Sequence, residues 1–162
     1  MKKNLYLLRH SYAEPPGSDR DFKRSLTMEG LNTVRALGRK LLEESFNPDV
    51  IISSKALRAE DTAINLVEEL EISEQIITYE KKMYEASVRE LLEIVNAIED
   101  TAKSALLIGH NPTLSFFAEY LTGSGFSGME PCGLVTIKFE DIKWSEISQS
   151  SGIFAAYYHP NH

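Results

Sequence analysis

The sequence predicts a three-layer α/β fold in which helices cover both faces of a mostly parallel sheet. Short, continuous apolar runs alternate with longer amphipathic stretches, as in chains whose strands are connected through helices. The runs at 50–52 and 105–108 are apolar throughout, which is typical of strands buried on both faces. The 162 residues contain no repeat, low-complexity tract or linker, so we expect a single domain over 1–162.

The first half of the chain predicts two strands, each followed by a helix. An apolar run at 4–8 predicts the first strand, and the polar segment 12–25, which holds two prolines, predicts a loop. Thr27 can cap a helix, because apolar residues recur after it at helical spacing. Residues 50–52 predict the next strand, and we expect Ser54 to cap the helix that follows it.

The second half continues the alternation and then turns to strands. Residues 76–79 predict a third strand, and Ser87 with Glu90 forms a capping box before another amphipathic helix. The apolar strand at 105–108 leads to a helix whose first turn holds Pro112. After a glycine-rich segment, three more strands are predicted, at 134–139, 142–147 and 153–158.

Composition and charge narrow the classes of partner. The chain is 43% hydrophobic and 25% charged, as in ordinary globular proteins. Its 24 acidic and 17 basic residues give a formal net charge of −7, which argues against nucleic acid as a partner. A few arginines focused in one pocket can still bind an anionic substrate in an acidic protein.

Cysteine content and hydropathy indicate a cytoplasmic protein without a membrane partner. The one cysteine, Cys132, cannot form an internal disulfide, fits a reducing compartment and is expected to be a packed small residue. No apolar run approaches the ~20 residues that span a bilayer. His159 and His162 have no cysteine or carboxylate set beside them, so we expect neither a metal nor another cofactor.

Three short motifs carry candidate chemistry, and each follows a predicted strand. They are Arg9-His10, then Arg58 near a helix start, then Gly109-His110. Taken singly, each motif is an ordinary surface feature. Because ligands bind at the carboxyl ends of strands in open α/β sheets, we expect the two arginines and two histidines to converge on one crevice.

This set of side chains suits a phosphoryl group. Arginine offers a fixed fork of donors to phosphate oxygens, and a helix N-terminus adds oriented N–H groups. A neutral histidine has a nitrogen lone pair that can accept a phosphoryl group. Nearby arginines disfavour imidazolium and should lower the pKa of His10. The same arginines would neutralise the transferring group, so that no metal is needed.

The motifs resemble those of the histidine phosphatase superfamily, which is also called the phosphoglycerate mutase-like superfamily. The resemblance rests on Arg9-His10, on the Ser-x-x-x-Arg-Ala-x-x-Thr-Ala segment at 54–63, and on Gly109-His110. Within the superfamily, the chain is similar to the SixA-type phosphohistidine phosphatases. The segments that carry this similarity are DFKRSLTMEG, Met-Tyr-Glu-Ala and GHNPTL, at 21–30, 83–86 and 109–114.

The resemblance implies a role for the residues that match these motifs. His10 would be the covalent nucleophile. Arg9, Arg58 and His110 would surround the phosphoryl group. The fold implied is the phosphoglycerate mutase-like α/β fold, with no cofactor.

Three further residues complete the implied site. Arg24 would be a phosphate ligand from the first loop, where Ser25 replaces the proline of the SixA-type segment. Asn111 would add a substrate contact beside the second histidine. Glu85 is the candidate acid that protonates the leaving group. A phosphohistidine leaving group can be protonated by solvent, so the role of Glu85 stays open.

The reaction implied is hydrolysis of a phosphomonoester or phosphoramidate through a phosphohistidine intermediate. The expected substrate is phosphohistidine on phosphotransfer proteins, because the short chain has no room for the cap insertions of larger relatives. The alternatives are a small-molecule phosphomonoesterase, acting on a sugar phosphate or nucleotide, and a non-catalytic phosphate-binding module.

Overall fold

A computed structural model describes residues 1–17 and 20–161. Residues 18 and 19 of the predicted first loop and His162 lie outside the described residues. The expectation that His159 and His162 bind no metal therefore has one of its two residues outside the described part of the chain. The six strands are β1 Lys2–Arg9, β2 Val50–Ser53, β3 Ile77–Tyr79, β4 Ser104–Gly109, β5 Leu134–Glu140 and β6 Ile153–Tyr158. The four α-helices of the described ranges are α1 Met28–Glu43, α2 Leu57–Glu69, α3 Val88–Asn96 and α4 Thr113–Thr122.

The strands form one mixed sheet in the order β3-β2-β4-β1-β5-β6. The pairings β3–β2, β2–β4 and β4–β1 are parallel, whereas β5 is antiparallel to both β1 and β6. This confirms the mostly parallel α/β sheet. The register aligns Arg9 with Gly109 and Ser53 with Ile108, so the carboxyl ends of β1, β4 and β2 lie side by side.

Two apolar layers separate the sheet from its helices, which confirms the three-layer arrangement. One layer includes Leu37 of α1 and Leu66 of α2, and the other includes Leu91 of α3 and Phe117 of α4. Strand β4 serves both layers, because successive side chains point to opposite faces of a sheet. Its alternate residues Ala105 and Leu107 contact one layer, and Leu106 and Ile108 contact the other.

Several local predictions are confirmed by side-chain caps. Thr27 caps α1, since its hydroxyl accepts a hydrogen bond from Gly30 N at 2.9 Å. Ser87 and Glu90 form the expected capping box at the start of α3. Pro112 immediately precedes α4.

The prediction that Ser54 caps a helix is wrong. Helix α2 begins at Leu57 after Ala56, and no side chain caps it. Ser54 is fully buried, and its hydroxyl contacts Ala56 N at 3.2 Å and His110 Nε2 at 2.8 Å. Ser54 N donates to Ile108 O, so Ser54 extends the pairing of β2 with β4 before the helix starts, and its hydroxyl contacts the histidine that follows β4.

The strand predicted at 142–147 is also wrong, because the segment contains a 3-10 helix at Trp144–Glu146. The Trp144 indole is fully buried, and its Nε1–H donates to Ala102 O at 2.8 Å. Its backbone N–H donates to Asp100 Oδ1 at 3.0 Å, and Glu146 Oε1 accepts from Lys143 N. These side-chain hydrogen bonds take the place of the backbone hydrogen bonds between strands. The apolar periodicity of the sequence does not reveal them.

Removal of the Phe117 ring should destabilise the protein by roughly 3–5 kcal/mol, because that ring is fully buried between α4 and the sheet. The test is the free energy of denaturant unfolding of Phe117→Ala. Phe116→Ala on the same helix is the matched control, since Phe116 is 56% exposed and its loss should change stability by about 0.5 kcal/mol or less. Equal losses in both variants would contradict the packing described here.

Candidate active site

The carboxyl ends of β1 and β4 bring the two sequence-predicted histidines together. His10 N donates to Gly109 O at 3.0 Å, which continues the pairing of the two strands by one residue. The His10 and His110 rings lie 5.3 Å apart, measured between ring centroids. Arg58 joins them from the first turn of α2, with its Nε 3.3 Å from His10 Nε2.

The hydrogen bonds of His10 define its neutral tautomer. Nδ1 lies 2.8 Å from Ser11 O, and a carbonyl can only accept, so Nδ1 carries the hydrogen. Nε2 therefore holds the lone pair, and it accepts a hydrogen bond from Arg58 Nε–H. The ring is only 8% exposed, so its orientation is fixed by packing as well as by these two bonds.

The surroundings of His10 keep its ring uncharged. Burial foremost, together with the positive charges of Arg58, Arg9 and Arg24, lowers the pKa of His10 to about 4, against an opposing contribution from the Ser11 carbonyl. At neutral pH the Nε2 lone pair is therefore available. This meets the first requirement for a histidine nucleophile.

The arginine of the first motif lies beside the histidines but keeps part of its donor capacity unused. Arg9 Nη1 donates to Met129 O at 2.8 Å. Its Nε is buried and has no hydrogen-bond partner among the described residues. The same Met129 carbonyl accepts from Asn111 Nδ2 at 3.0 Å, so one backbone oxygen orients side chains from two motifs.

His110 is also neutral and also has one ring nitrogen without a partner. Its Nε2 lies 2.8 Å from Ser54 Oγ, whereas its Nδ1 is buried with no hydrogen-bond partner in the described part of the chain. Burial lowers the pKa of His110 to about 3, helped by the nearby His10 and Arg58. Arg9 and His110 thus each keep one buried side-chain nitrogen without a partner among the described residues.

A hydroxyl network fixes the loop that follows His10 to α2. Thr62 Oγ1 accepts from Ser11 N at 3.0 Å and donates to Arg58 O at 2.7 Å. Ser11 Oγ donates to Gly30 O at 2.8 Å. At Gly30 a Cβ would overlap the Tyr12 carbonyl, so only glycine lets the start of α1 approach this loop closely.

Asp21 is a site residue that the sequence reasoning missed. Its carboxylate accepts hydrogen bonds from Arg24 Nη1 at 2.9 Å, Arg58 Nη2 at 3.1 Å and the Tyr84 hydroxyl at 2.7 Å. These donors, the Tyr84 hydroxyl foremost, hold the pKa of Asp21 well below its usual range. The only sequence signal was an acidic residue three positions before an arginine in a polar loop, which is too common to be informative.

The three peripheral residues of the predicted site differ in their surroundings. Arg24 reaches the site through Asp21 and also donates to Glu14 O at 2.6 Å. Glu85 is exposed and lines the cavity of about 260 Å³ that Arg58 and His110 also line. Asn111 Nδ2 donates to Met129 O, and Asn111 Oδ1 accepts from the Ser115 hydroxyl, so both polar atoms of the amide are bonded to protein groups.

Three other expectations from the sequence concern the cysteine, metal binding and membrane spans. Cys132 is fully buried, and burial raises the pKa of its thiol to about 12, which confirms that it is a packed residue. Within residues 1–17 and 20–161, no group of three or more His, Cys, Asp or Glu side chains could hold a metal ion. None of the helices in those ranges has the length and apolar character of a membrane span.

Solved structures with the same fold include several phosphatases. A protein of Agrobacterium tumefaciens assigned to the SixA phosphohistidine phosphatases is 25% identical, with a TM-score of 0.83 over 98% of each chain. The protein histidine phosphatase SixA in complex with tungstate gives 0.83 at 19% identity, over 98% of this chain and 97% of the other. The mycobacterial glucosyl-3-phosphoglycerate phosphatase with VO3 gives 0.71 at 13% identity, over 97% and 99%.

Comparison of sequences alone finds less similarity than comparison of structures. No family profile matches the chain. An uncharacterised protein of Mycobacterium leprae is 28% identical over 105 residues, which are 65% of this chain and 62% of that protein. The match therefore spans less than two thirds of that relative.

The fold is that of the histidine phosphatase, or phosphoglycerate mutase-like, superfamily. Within it, the chain is similar to the SixA-type phosphohistidine phosphatases over nearly its whole length, which confirms the resemblance seen in the sequence.

The two neutral histidines should make the stability of the fold depend on pH. Unfolded histidine takes up a proton below its ordinary pKa of 6.5, whereas His10 and His110 do so only at about 4 and about 3. Stability is therefore full above pH 6.5 and falls as the pH decreases. At pH 5 we expect a loss of roughly 2 kcal/mol for each histidine relative to neutral pH.

The measurement is denaturant unfolding at pH 7 and pH 5. A double variant with His10→Gln and His110→Gln serves as the control, and it should lose most of the difference between the two pH values. An unchanged free energy of unfolding in the original protein would show that the two rings titrate in the folded state as they do in the unfolded chain.

Proposed function

We propose that the protein is a metal-independent phosphatase that transfers a phosphoryl group to His10 Nε2 and then to water. One observation carries the proposal. Arg9 Nε and His110 Nδ1 are buried nitrogens without partners among the described residues; Arg9 directly precedes His10, and the His110 ring lies 5.3 Å from the His10 ring between centroids. A buried donor without an acceptor costs about 1–3 kcal/mol, and a phosphoryl oxygen would satisfy it.

In the first step, the lone pair of His10 Nε2 forms a bond to phosphorus while the bond from phosphorus to the leaving group breaks. The leaving group keeps that electron pair and takes a proton from Glu85 or from water. The proton on His10 Nδ1 stays bonded to Ser11 O throughout, so the ring needs no rearrangement. Arg58 and Arg9 neutralise the charge on the transferring oxygens.

In the second step, a water molecule attacks phosphorus and the bond between nitrogen and phosphorus breaks. The electron pair returns to His10 Nε2, and inorganic phosphate leaves. Because arginines supply the positive charge in both steps, the proposal includes no metal. All assays below are therefore run in the presence of a strong chelator.

For the substrate, we propose phosphohistidine on a phosphotransfer protein. Two features support it. The cavity beside His110 is small, about 260 Å³, and Tyr84 and Glu85 are among its lining residues, so its size suits a single side chain. At a TM-score of 0.83, the chain is similar in structure to a protein described as a phosphohistidine phosphatase and to the protein histidine phosphatase SixA.

A second candidate is a small-molecule phosphomonoesterase. It is favoured by the likeness to the mycobacterial glucosyl-3-phosphoglycerate phosphatase, at TM-scores from 0.66 to 0.71. A substrate panel of phosphohistidine protein, para-nitrophenyl phosphate and sugar phosphates separates the two candidates. The remaining alternative is a phosphate-binding module without turnover. It would bind inorganic phosphate and hydrolyse none of the panel.

His10→Gln should abolish turnover and phosphoenzyme formation while the protein stays folded, because glutamine lacks the nucleophilic ring nitrogen. The measurement combines phosphate release with transfer of radioactive phosphate to the protein, which should be acid-labile in the original chain. The matched control is His159→Gln, since His159 is also buried, at 3% exposed, but its ring contacts Pro131 O and the Tyr12 hydroxyl instead of Arg58. Undiminished turnover in His10→Gln would refute the assignment.

Glu85→Gln should slow hydrolysis of an alkyl phosphate more than hydrolysis of phosphohistidine. An alkoxide is a poor leaving group and benefits from a positioned acid by about 10²–10⁴-fold, whereas an imidazole can be protonated before it departs. Turnover is compared on both substrates, with the exposed Glu99→Gln as the control for loss of a surface charge. Equal and negligible losses on both substrates would return Glu85 to the role of a solvated surface residue.

A further inference from the structure

The contact between Ser54 and His110 has a consequence for the second histidine of the site. We infer that Ser54 is a positioning residue: its hydroxyl donates to His110 Nε2 and thereby keeps the hydrogen of that ring on Nδ1, the ring nitrogen that has no partner among the described residues. The inference begins from the 2.8 Å separation of Ser54 Oγ and His110 Nε2. The inferred tautomer of His110 does not depend on the proposed function; only the expected effect of Ser54 on catalysis rests on it.

Counting hydrogens decides the direction of this bond. Ser54 is fully buried, and its hydroxyl has one hydrogen to donate. Ala56 N–H already donates to Ser54 Oγ at 3.2 Å, so the Ala56 contact cannot take the hydroxyl hydrogen. His110 Nε2 is the other hydrogen-bond partner of that oxygen, and it can accept only when it is unprotonated.

The opposite tautomer would leave two groups unsatisfied. If Nε2 carried the hydrogen and donated to Ser54 Oγ, the hydroxyl hydrogen would be buried without an acceptor. The buried Nδ1 would then carry a lone pair with no donor among the described residues, and in the proposed reaction that lone pair would repel a phosphoryl oxygen. With the hydrogen on Nδ1, the hydroxyl is satisfied and the buried, partnerless Nδ1 becomes a donor.

The sheet fixes the position of Ser54 without help from a ligand. Ser54 N donates to Ile108 O at 3.0 Å, which extends the pairing of β2 with β4. His110 lies two residues beyond Ile108. The hydroxyl and the ring are therefore held by neighbouring strand ends, and the tautomer is set before substrate binds.

In the proposed reaction, the Nδ1–H of His110 would donate to an oxygen of the transferring phosphoryl group. A ring free to exchange tautomers would present a lone pair there for part of the time. Loss of Ser54 should therefore reduce kcat rather than raise KM, because the donor matters most where charge is largest, in the transition state.

The direct test is NMR of the intact protein with isotope-labelled histidine, in which the protonated and unprotonated ring nitrogens have well separated shifts. The chain has four histidines, and His110→Gln identifies the signal by its absence. We expect His110 to be protonated at Nδ1 in the original protein. In Ser54→Ala we expect a mixture of tautomers. A hydrogen on Nε2 in the original protein would overturn the inference, whether or not the protein is active.

The kinetic test compares Ser54→Ala with Ser53→Ala, a neighbouring buried serine whose hydroxyl donates to Ser54 O instead. Ser54→Ala should lower kcat about tenfold, the equivalent of one lost hydrogen bond, with KM changed by about twofold or less. Ser53→Ala should keep the original kcat. Ser54→Thr should keep most of it, because threonine also carries a hydroxyl.

The outcomes separate the two proposals. If Ser54→Ala does not fold, the NMR spectrum of the original protein still decides the tautomer. An equal loss in Ser53→Ala and Ser54→Ala would overturn the positioning role. Absence of turnover in the original protein would count against the proposed function, and the ring signals of His110 would still test Ser54.

Discussion

The hydrogen bond from His10 N to Gly109 O is the constraint on which the site depends. It continues the parallel pairing of β1 with β4 past the last paired residues, and so it holds two motifs that are far apart in sequence at one distance. A shift of register by one residue would turn the side chains of one strand to the opposite face. The apolar residues on both faces of β4 prevent such a shift, because every one of them would leave its layer.

The site is assembled at a cost to stability that the rest of the fold offsets. Two neutral imidazoles lie beside arginines, and two buried nitrogens have no partner within the described residues. Such an unfavourable local arrangement persists only where the surrounding structure holds its groups in place. Here the surrounding structure is the Thr62 hydroxyl network, the close approach at Gly30 and two apolar layers.

The sequence was sufficient for the elements whose signal is local. The strands at β1 and β4 are continuous apolar runs, and Thr27 and Ser87 cap the helices that they were expected to cap. The convergence of His10 with His110 followed from the rule for strand ends in α/β sheets.

Other parts of the site depend on groups that meet only in the folded chain. Ser54 looked like a cap because it precedes a helix, yet its hydroxyl faces His110 from a neighbouring strand end. Asp21 accepts from Arg58 and Tyr84, which are 37 and 63 residues away in sequence. The indole N–H of Trp144 donates to Ala102 O, and its segment forms a turn of 3-10 helix in place of the predicted strand. No pattern of local spacing contains these pairings.

The central position of β1 in the sheet affects how the protein is made. Its parallel neighbour β4 is about a hundred residues later in the chain, since Leu8 pairs with Ile108. Pairings over such separations are slow to form, because a long loop must close before any contact stabilises it. During synthesis, the first strand leaves the ribosome with its edges unpaired and stays so until most of the chain has followed. Aggregation of the nascent chain is therefore the hazard that comes with this topology.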